Sequence, residues 1–198
     1  MKKIFLAFVF SFTAITAASA APAISPLPPH IFEWVQSSER AGYWFNKMEI
    51  YYGLNSGVID KNRITVPIIK VYDDVQINEV ITKRRWHDMS LAGYEILAGA
   101  AEYLEFNIKE RTVTIKRHDE LDNTLTSLSS EMPNKKIYLD KMGDKNVDKN
   151  FYNAILDFAA NHQDEILKRS LTKGKLPEGT KPDDKKKVKN NTKVKNKR

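Results

Sequence analysis

The sequence predicts an α+β fold: an antiparallel, strongly twisted sheet or small open barrel of about six or seven strands, with a middle helix and a C-terminal helix packed on it. Three observations predict it. Most segments alternate apolar and polar residues at the period of a strand, two segments switch to helical spacing, and the joints between them carry turn residues rather than long linkers.

The chain of 198 residues opens on an export signal. Lys2 and Lys3 precede an apolar run over residues 4–17, and Ala18-Ser19-Ala20 supplies a small-residue cleavage site, so residues 1–20 read as a Sec-type signal peptide and the mature chain begins at Ala21. A membrane anchor would need roughly 20 unbroken apolar residues, and Ser11, Thr13 and Thr16 interrupt this run. The chain has no cysteine, which removes disulfides, thiolate metal sites and a lipid attachment point.

Residues 21–30 hold four prolines and read as a stiff, extended lead-in. A single domain over 31–172 follows. Residues 31–37 and 42–46 alternate around Phe32, Trp34, Tyr43 and Phe45, with a turn at 38–42, which predicts an aromatic hairpin with Trp44 facing away from Tyr43 and Phe45. A short strand over 49–52, turn chemistry at Asn55-Ser56-Gly57 and Asp60-Lys61-Asn62, and a β-branched run over 63–72 form a second unit. Pro67 cannot donate to a ladder and is expected at an edge or a bulge.

From 74 to 91 the spacing of Val75, Ile77, Val80, Ile81 and Arg84 predicts a helix capped by Asp73 or Asp74 and ended by Gly93. Residues 103–108 and 111–117 form a hairpin, with Leu104, Phe106 and Ile108 on one face of the first strand and Val113 and Ile115 on one face of the second. Shorter strands are expected over 125–129 and 136–139. The last element is a helix with Asp148 as its cap and a stripe of Phe151, Ile155, Phe158, Ala159, His162 and Ile166, ending before Gly174.

The net charge of +7 is unevenly placed. Segment 173–198 carries +8 and the signal +2, which leaves −3 on residues 21–172. The tail has almost no large apolar residue and is expected to be disordered. Outside the cytoplasm a cationic tail containing Lys185, Lys186 and Lys187 suits anionic envelope components, at about 1 kcal/mol per charge near an anionic surface; the alternative is a solubilising tail. Nucleic acid ranks below both, because the acidic domain offers no basic groove.

The segments Phe32-Glu33-Trp34-Val35, Gly42-Tyr43-Trp44-Phe45 and Gly57 to Val66, then Gly93-Tyr94-Glu95, Glu105-Phe106 and Phe151 to Ile155, resemble those of small exported bacterial proteins grouped as surface-adhesin-E-like. That resemblance implies a β-rich extracytoplasmic fold with helices over about residues 31–167 and assigns no functional residue.

Candidate chemistry is sparse. Lys83-Arg84-Arg85-Trp86-His87-Asp88 reads as a patch in which arginines grip an anion beside a stacking ring, or as a helix end whose Trp86 covers the core. His118-Asp119-Glu120 reads as an acid–base or cation site, or as a solvated strand end. Asp144, Asn146 and Asp148 have the opening spacing of a calcium loop, but Lys149 and Ile155 stand where Gly and Glu belong. His30, His87, His118 and His162 lack zinc spacing, so no metal is assigned. No nucleophile elbow or phosphate loop occurs, so no cofactor or catalytic residue is assigned. Trp44 is a candidate exposed ring on an aromatic platform. The function expected is an extracytoplasmic, non-enzymatic binding or envelope-associated protein; the alternative is a periplasmic enzyme of unrecognised class.

Overall fold

Among the described residues, eight antiparallel strands form one open sheet, with three α-helices. The computed structural model describes residues 26–55 and 58–172; residues 1–20 read as a signal, residues 21–25 of the lead-in, Gly57, Gly174, and residues 173–198 with Lys185, Lys186 and Lys187 lie outside the described residues.

Strands β1 (Phe32–Ser37) and β2 (Ala41–Asn46) make the expected aromatic hairpin, closed by Ser38 N–H donating to Ala41 O at 2.8 Å. A 3₁₀ turn over Lys47–Glu49 leads into β3 (Tyr51–Asn55), which starts two residues later than predicted because the Asn46 side chain caps that turn. The long strand β4 (Val58–Tyr72) runs through the middle of the sheet. Asp60-Lys61-Asn62 is therefore not the turn its composition suggested. Pairing jumps from Gly53 opposite Asp60 to Tyr52 opposite Ile64, so the polar residues bulge out of a continuous strand, and Asp60 Oδ1 accepts from Asn62 N–H at 2.9 Å.

Pro67 sits on this central strand rather than on an edge strand, opposite Tyr103. The position still tolerates proline, because β2 leaves β4 at Ile68 and β3 joins it at Thr65. On that side Val66 and Pro67 have no strand neighbour, so the missing N–H costs no ladder bond there.

Helix α1 (Asp74–Trp86) is capped by Asp73, whose carboxylate accepts from Gln76 N–H at 2.7 Å. It stops five residues short of the expected end. Asp88 takes the left-handed conformation with φ 52°, Asp88 N–H bonds Arg85 O and Met89 N–H bonds Arg84 O, which is the two-bond closure of a helix C-terminus. Gly93, with φ 83°, instead opens the 3₁₀ turn Tyr94–Ile96.

Strands β5 (Leu97–Asn107) and β6 (Thr112–Asp122) form the predicted hairpin, each longer than expected. Ile108 does not join Leu104 and Phe106 inside, since β5 ends at Asn107 and leaves it in the turn. Strands β7 (Ser127–Glu131) and β8 (Lys135–Tyr138) pair with different halves of β6, as β2 and β3 do with β4.

The predicted C-terminal helix is two helices, α2 (Val147–Asn161) and α3 (Gln163–Thr172). The break falls at His162, whose ring stacks on Phe158 at 3.9 Å. Asn146, not Asp148, caps α2 by accepting from Lys149 N–H at 3.0 Å. Phe151, Tyr152, Ile155 and Ala159 of α2 are buried against Tyr43, Phe45, Ile64, Ile68 and Phe106 of the sheet. Tilted and edge-on rings link the layers, Tyr43 to Phe151 at 5.2 Å and Phe106 to Tyr152 at 5.9 Å.

Helix α3 protects the free edge of β3. Buried Ser170 Oγ accepts from Tyr52 N–H at 2.9 Å while donating to Ile166 O at 2.7 Å, and Arg169 donates to Lys47 O at 2.7 Å. No helix among the described residues is long and apolar enough to cross a membrane.

Candidate functional site

The two faces of the sheet differ in kind, and the register assigns residues to each. On the helix-covered face, Lys70 of β4, Glu102 of β5 and His118 of β6 continue the rows that carry Ile68 and Leu104, so charged groups stand at core positions. Glu102, 5% exposed, lies between two cations: His118 Nδ1 at 3.2 Å and Lys70 Nζ at 3.3 Å. Lys70 also approaches Asp148 of α2 at 3.7 Å, so one cluster ties three strands to the helix.

The ionisation states follow from this arrangement. Burial pushes the Glu102 carboxyl up, but the hydrogen bond from His118 and the charge of Lys70 outweigh it and hold Glu102 below the usual carboxylate range. The hydrogen bond to Glu102 raises His118, against the opposing effect of burial. Burial pulls Lys70 down, and the Glu102 and Asp148 carboxylates more than restore it. Lys70 donates to Glu102 Oε1 at 3.4 Å, while Glu102 Oε2 and Asp148 Oδ1 receive no hydrogen bond and meet the ammonium through charge.

Helix α1 roofs the next part of this face, leaving an open cleft of about 290 Å³ lined by Tyr72, Gln76, His87, His118 and Glu120 among others. Glu120 Oε2 accepts from Arg84 at 3.1 Å, from Ser129 Oγ at 2.8 Å and from the Tyr94 hydroxyl. Burial and the Glu120 acceptor push the Tyr94 hydroxyl up to about 12. The Arg84 guanidinium lies 4.0 Å over the Tyr94 ring and donates twice more to Ser90 O, at 3.1 and 3.0 Å. Three of its five N–H donors and its one close carboxylate are thus engaged within the chain.

The basic–aromatic cluster read from the sequence is thus divided. Arg84 turns inward, while Arg85, Trp86 and His87 are exposed. Trp86 is 80% exposed and does not cover the core; it is the last residue of α1, a helix with no buried residue. His118-Asp119-Glu120 divides as well: His118 and Glu120 face the cleft, and Asp119 faces the other side, where Arg117 bonds it at 2.8 Å. Asp144 pairs with Lys149 at 2.7 Å, Asn146 caps α2 and Asp148 attends Lys70, so the calcium-like spacing serves three separate contacts. Among the described residues no three His, Asp or Glu side chains group as metal ligands.

The opposite face carries rings. Trp34 pairs with Trp44 across β1 and β2, and Trp44 with Ile69 of β4. Trp44 does face away from Tyr43 and Phe45, yet it is more buried than exposed, because its indole folds back over Gly42; a Cβ there would lie 2.4 Å from the ring. Trp34 is the more open ring at 56%. Where β2 gives way to β3, Tyr51, Thr65, Pro67 and Tyr103 line an apolar groove of about 190 Å³, with Glu49 and Lys116 as its charged members. The Arg117 guanidinium lies 5.5 Å over the Tyr103 ring.

No family model, curated protein or solved structure matches the chain. The site is therefore defined by its own geometry. The sequence marked Pro67 for its backbone alone and neither Tyr51 nor Tyr103 as a site residue, although alternation already set Tyr103 opposite in facing to Leu104 and Phe106.

Proposed function

We propose that the chain is an extracytoplasmic, non-enzymatic binding or envelope-associated protein that engages a macromolecular envelope component through the ring-bearing face of its sheet. One contrast carries this reading: the charged groups of the helix-covered face are committed to one another, whereas the opposite face carries the cross-strand pair Trp34 and Trp44 and, across β4, Tyr103 on the wall of an apolar groove. Aromatic anchors of this kind supply most of the energy in protein recognition. The signal-like segment 1–20 and the resemblance to surface-adhesin-E-like proteins support an extracytoplasmic setting, and the basic tail adds an electrostatic attraction to anionic envelope material.

The enzyme reading rests on His118 and its carboxylate partner at 3.2 Å. It ranks second because Ser129, beside Glu120 on the same face of the sheet, is committed to Glu120 and Tyr94 and has no hydrogen bond to His118. Pelleting of the processed chain with an isolated envelope fraction tests the proposal. The chain from Ala21 should co-sediment at low salt, deletion from residue 173 should weaken this, and a chain that stays in the supernatant under all conditions refutes it.

A further inference from the structure

The cleft beneath α1 holds hydrogen-bonding groups that the chain does not use. Tyr72 at the end of β4, Gln76 in the first turn of α1 and His118 on β6 all line it. His118 spends Nδ1 on Glu102 and leaves Nε2 unpaired. The Tyr72 hydroxyl and the Gln76 carboxamide likewise make no hydrogen bond among the described residues. None of the three is sealed from water, since the sealed side-chain atoms without a partner are Glu102 Oε2 and Asp148 Oδ1. Three unpaired polar groups therefore open into one space, where buried polar groups are ordinarily paired. Burial pushes the Tyr72 hydroxyl above its ordinary range, so it stays a protonated donor.

The mixture of groups selects the ligand. With histidines counted as neutral, Lys83 and Arg84 on the walls cancel Glu120 and Glu131, so the cleft favours neither an anion nor a cation. Acceptors stand beside the donors. The Glu131 carboxylate, exposed at the rim, has no partner among the described residues, and the Gln76 carboxamide offers both an oxygen and an amino group. An alcohol hydroxyl donates and accepts at once, which suits such a set. It also suits His118 in either ionisation state: Nδ1 donates to the Glu102 carboxylate throughout, while Nε2 accepts in the neutral ring and donates in the cation. Val80 and Met89 add an apolar wall for the C–H face of a ring. The volume, about 290 Å³, stands at the small end of ligand sites, which run from roughly 300 Å³ upward, and so suits one ring rather than a chain of them.

We propose that this cleft binds a single uncharged sugar or polyol, whose neighbouring hydroxyls pair with Tyr72, Gln76 and His118 and with Glu131 at the rim. The site lies on the helix-covered side of the sheet and does not depend on the ring-bearing face.

Amide NMR titration of the chain from Ala21 to Arg198 tests it, with D-glucose, D-galactose, N-acetyl-D-glucosamine and ribitol as probes and acetate and ethylammonium as charged controls. At least one of the four uncharged probes should give saturable shifts at Gln76, Met89, His118 and Glu131, in the millimolar range that a few hydrogen bonds support, with the Trp34 and Trp44 indole signals unmoved. Tyr72→Phe and Gln76→Leu each delete a group that bonds nothing else in the described chain, so both variants should fold as the wild type does and bind about fivefold more weakly. The methyl glycoside of a sugar that binds separates two sources: equal binding identifies the end residue of a glycan, lost binding a free sugar, and both uphold the site. No saturable shift with any of the four, tighter binding of either charged control at the same residues, or unchanged affinity in both variants overturns the proposal. Sugar-induced shifts confined to Trp34 and Trp44 overturn it too, while leaving recognition by the ring-bearing face standing.

Discussion

Replacing Lys70 by Met removes the cation at the centre of the buried cluster while keeping most of the side-chain stem, so the loss is one of charge rather than of volume. Lys70 is 15% exposed at its side chain and stands 3.3 Å from Glu102, 3.7 Å from Asp148 and 5.6 Å from the Tyr43 ring centroid. Its removal leaves Glu102 with His118 as its one cation. Breaking a buried pair by deleting one partner costs about 3–5 kcal/mol, which lowers the melting temperature of a domain this size by on the order of 10 °C. Thermal unfolding followed by circular dichroism at pH 6 reads the effect.

The pH dependence has a definite sign. Glu102 is held low in the folded state, so its contribution is present above its unfolded pKa and is lost as pH falls through the folded value. His118 is held high, so its contribution is complete below its unfolded pKa, about 6.5, and is lost as pH rises through the folded value. The wild-type cluster is thus strongest in mildly acidic solution, and in Lys70→Met the decline above neutrality should steepen, because His118 alone then holds the carboxylate. The double variant Lys70→Met with Glu102→Leu removes the stranded charge and should regain at least half of the loss. A single variant melting within about 2 °C of wild type, or a double variant no more stable than the single, refutes the charge argument.

Ser170→Ala strips the acceptor from the buried Tyr52 N–H and should cost about 1–3 kcal/mol, with faster hydrogen exchange at that amide. Gly42→Ala drives a methyl into the Trp44 indole and should cost about 1–3 kcal/mol; the ring is displaced toward water, so tryptophan emission shifts to the red, and unchanged emission counts against the observed ring position. Asn146→Ala removes the cap of α2 and should cost about 1 kcal/mol, measured by urea unfolding.

Much of the sheet was legible because alternation reports facing directly. The hairpin of β1 and β2, the facing of Trp44 and the pairing of β5 with β6 all follow from period two. The cluster was only half legible. Lys70 shares parity with Val66 and Ile68, and Glu102 with Leu104 and Phe106, so each announces itself as a charged residue in a core row. His118 does not. Val113 and Ile115 place Arg117 inside and His118 outside, but the register shift that leaves Lys116 without a partner on β5 inverts the rest of β6 and carries His118 to Glu102. Turn chemistry misled at Asp60-Lys61-Asn62 for a related reason, since polar residues that suit a turn also suit a bulge. The ends of helices depended on caps that compete closely: Asp88 closed α1 before Gly93 could, and Asn146 capped α2 two residues ahead of Asp148.

The most direct test of the binding account separates aromatic contact from tail electrostatics. The chain from Ala21 and its Trp34→Ala/Tyr103→Ala variant are pelleted with isolated envelope material across a salt series, because exposed charge attraction fades as the Debye length contracts from about 10 Å at 0.1 M to about 3 Å at 1 M. The account predicts that wild type keeps a salt-resistant bound fraction that the double variant lacks, with both folded alike by circular dichroism. Equal salt-resistant binding by the two proteins, or its loss in His118→Ala instead, would contradict it.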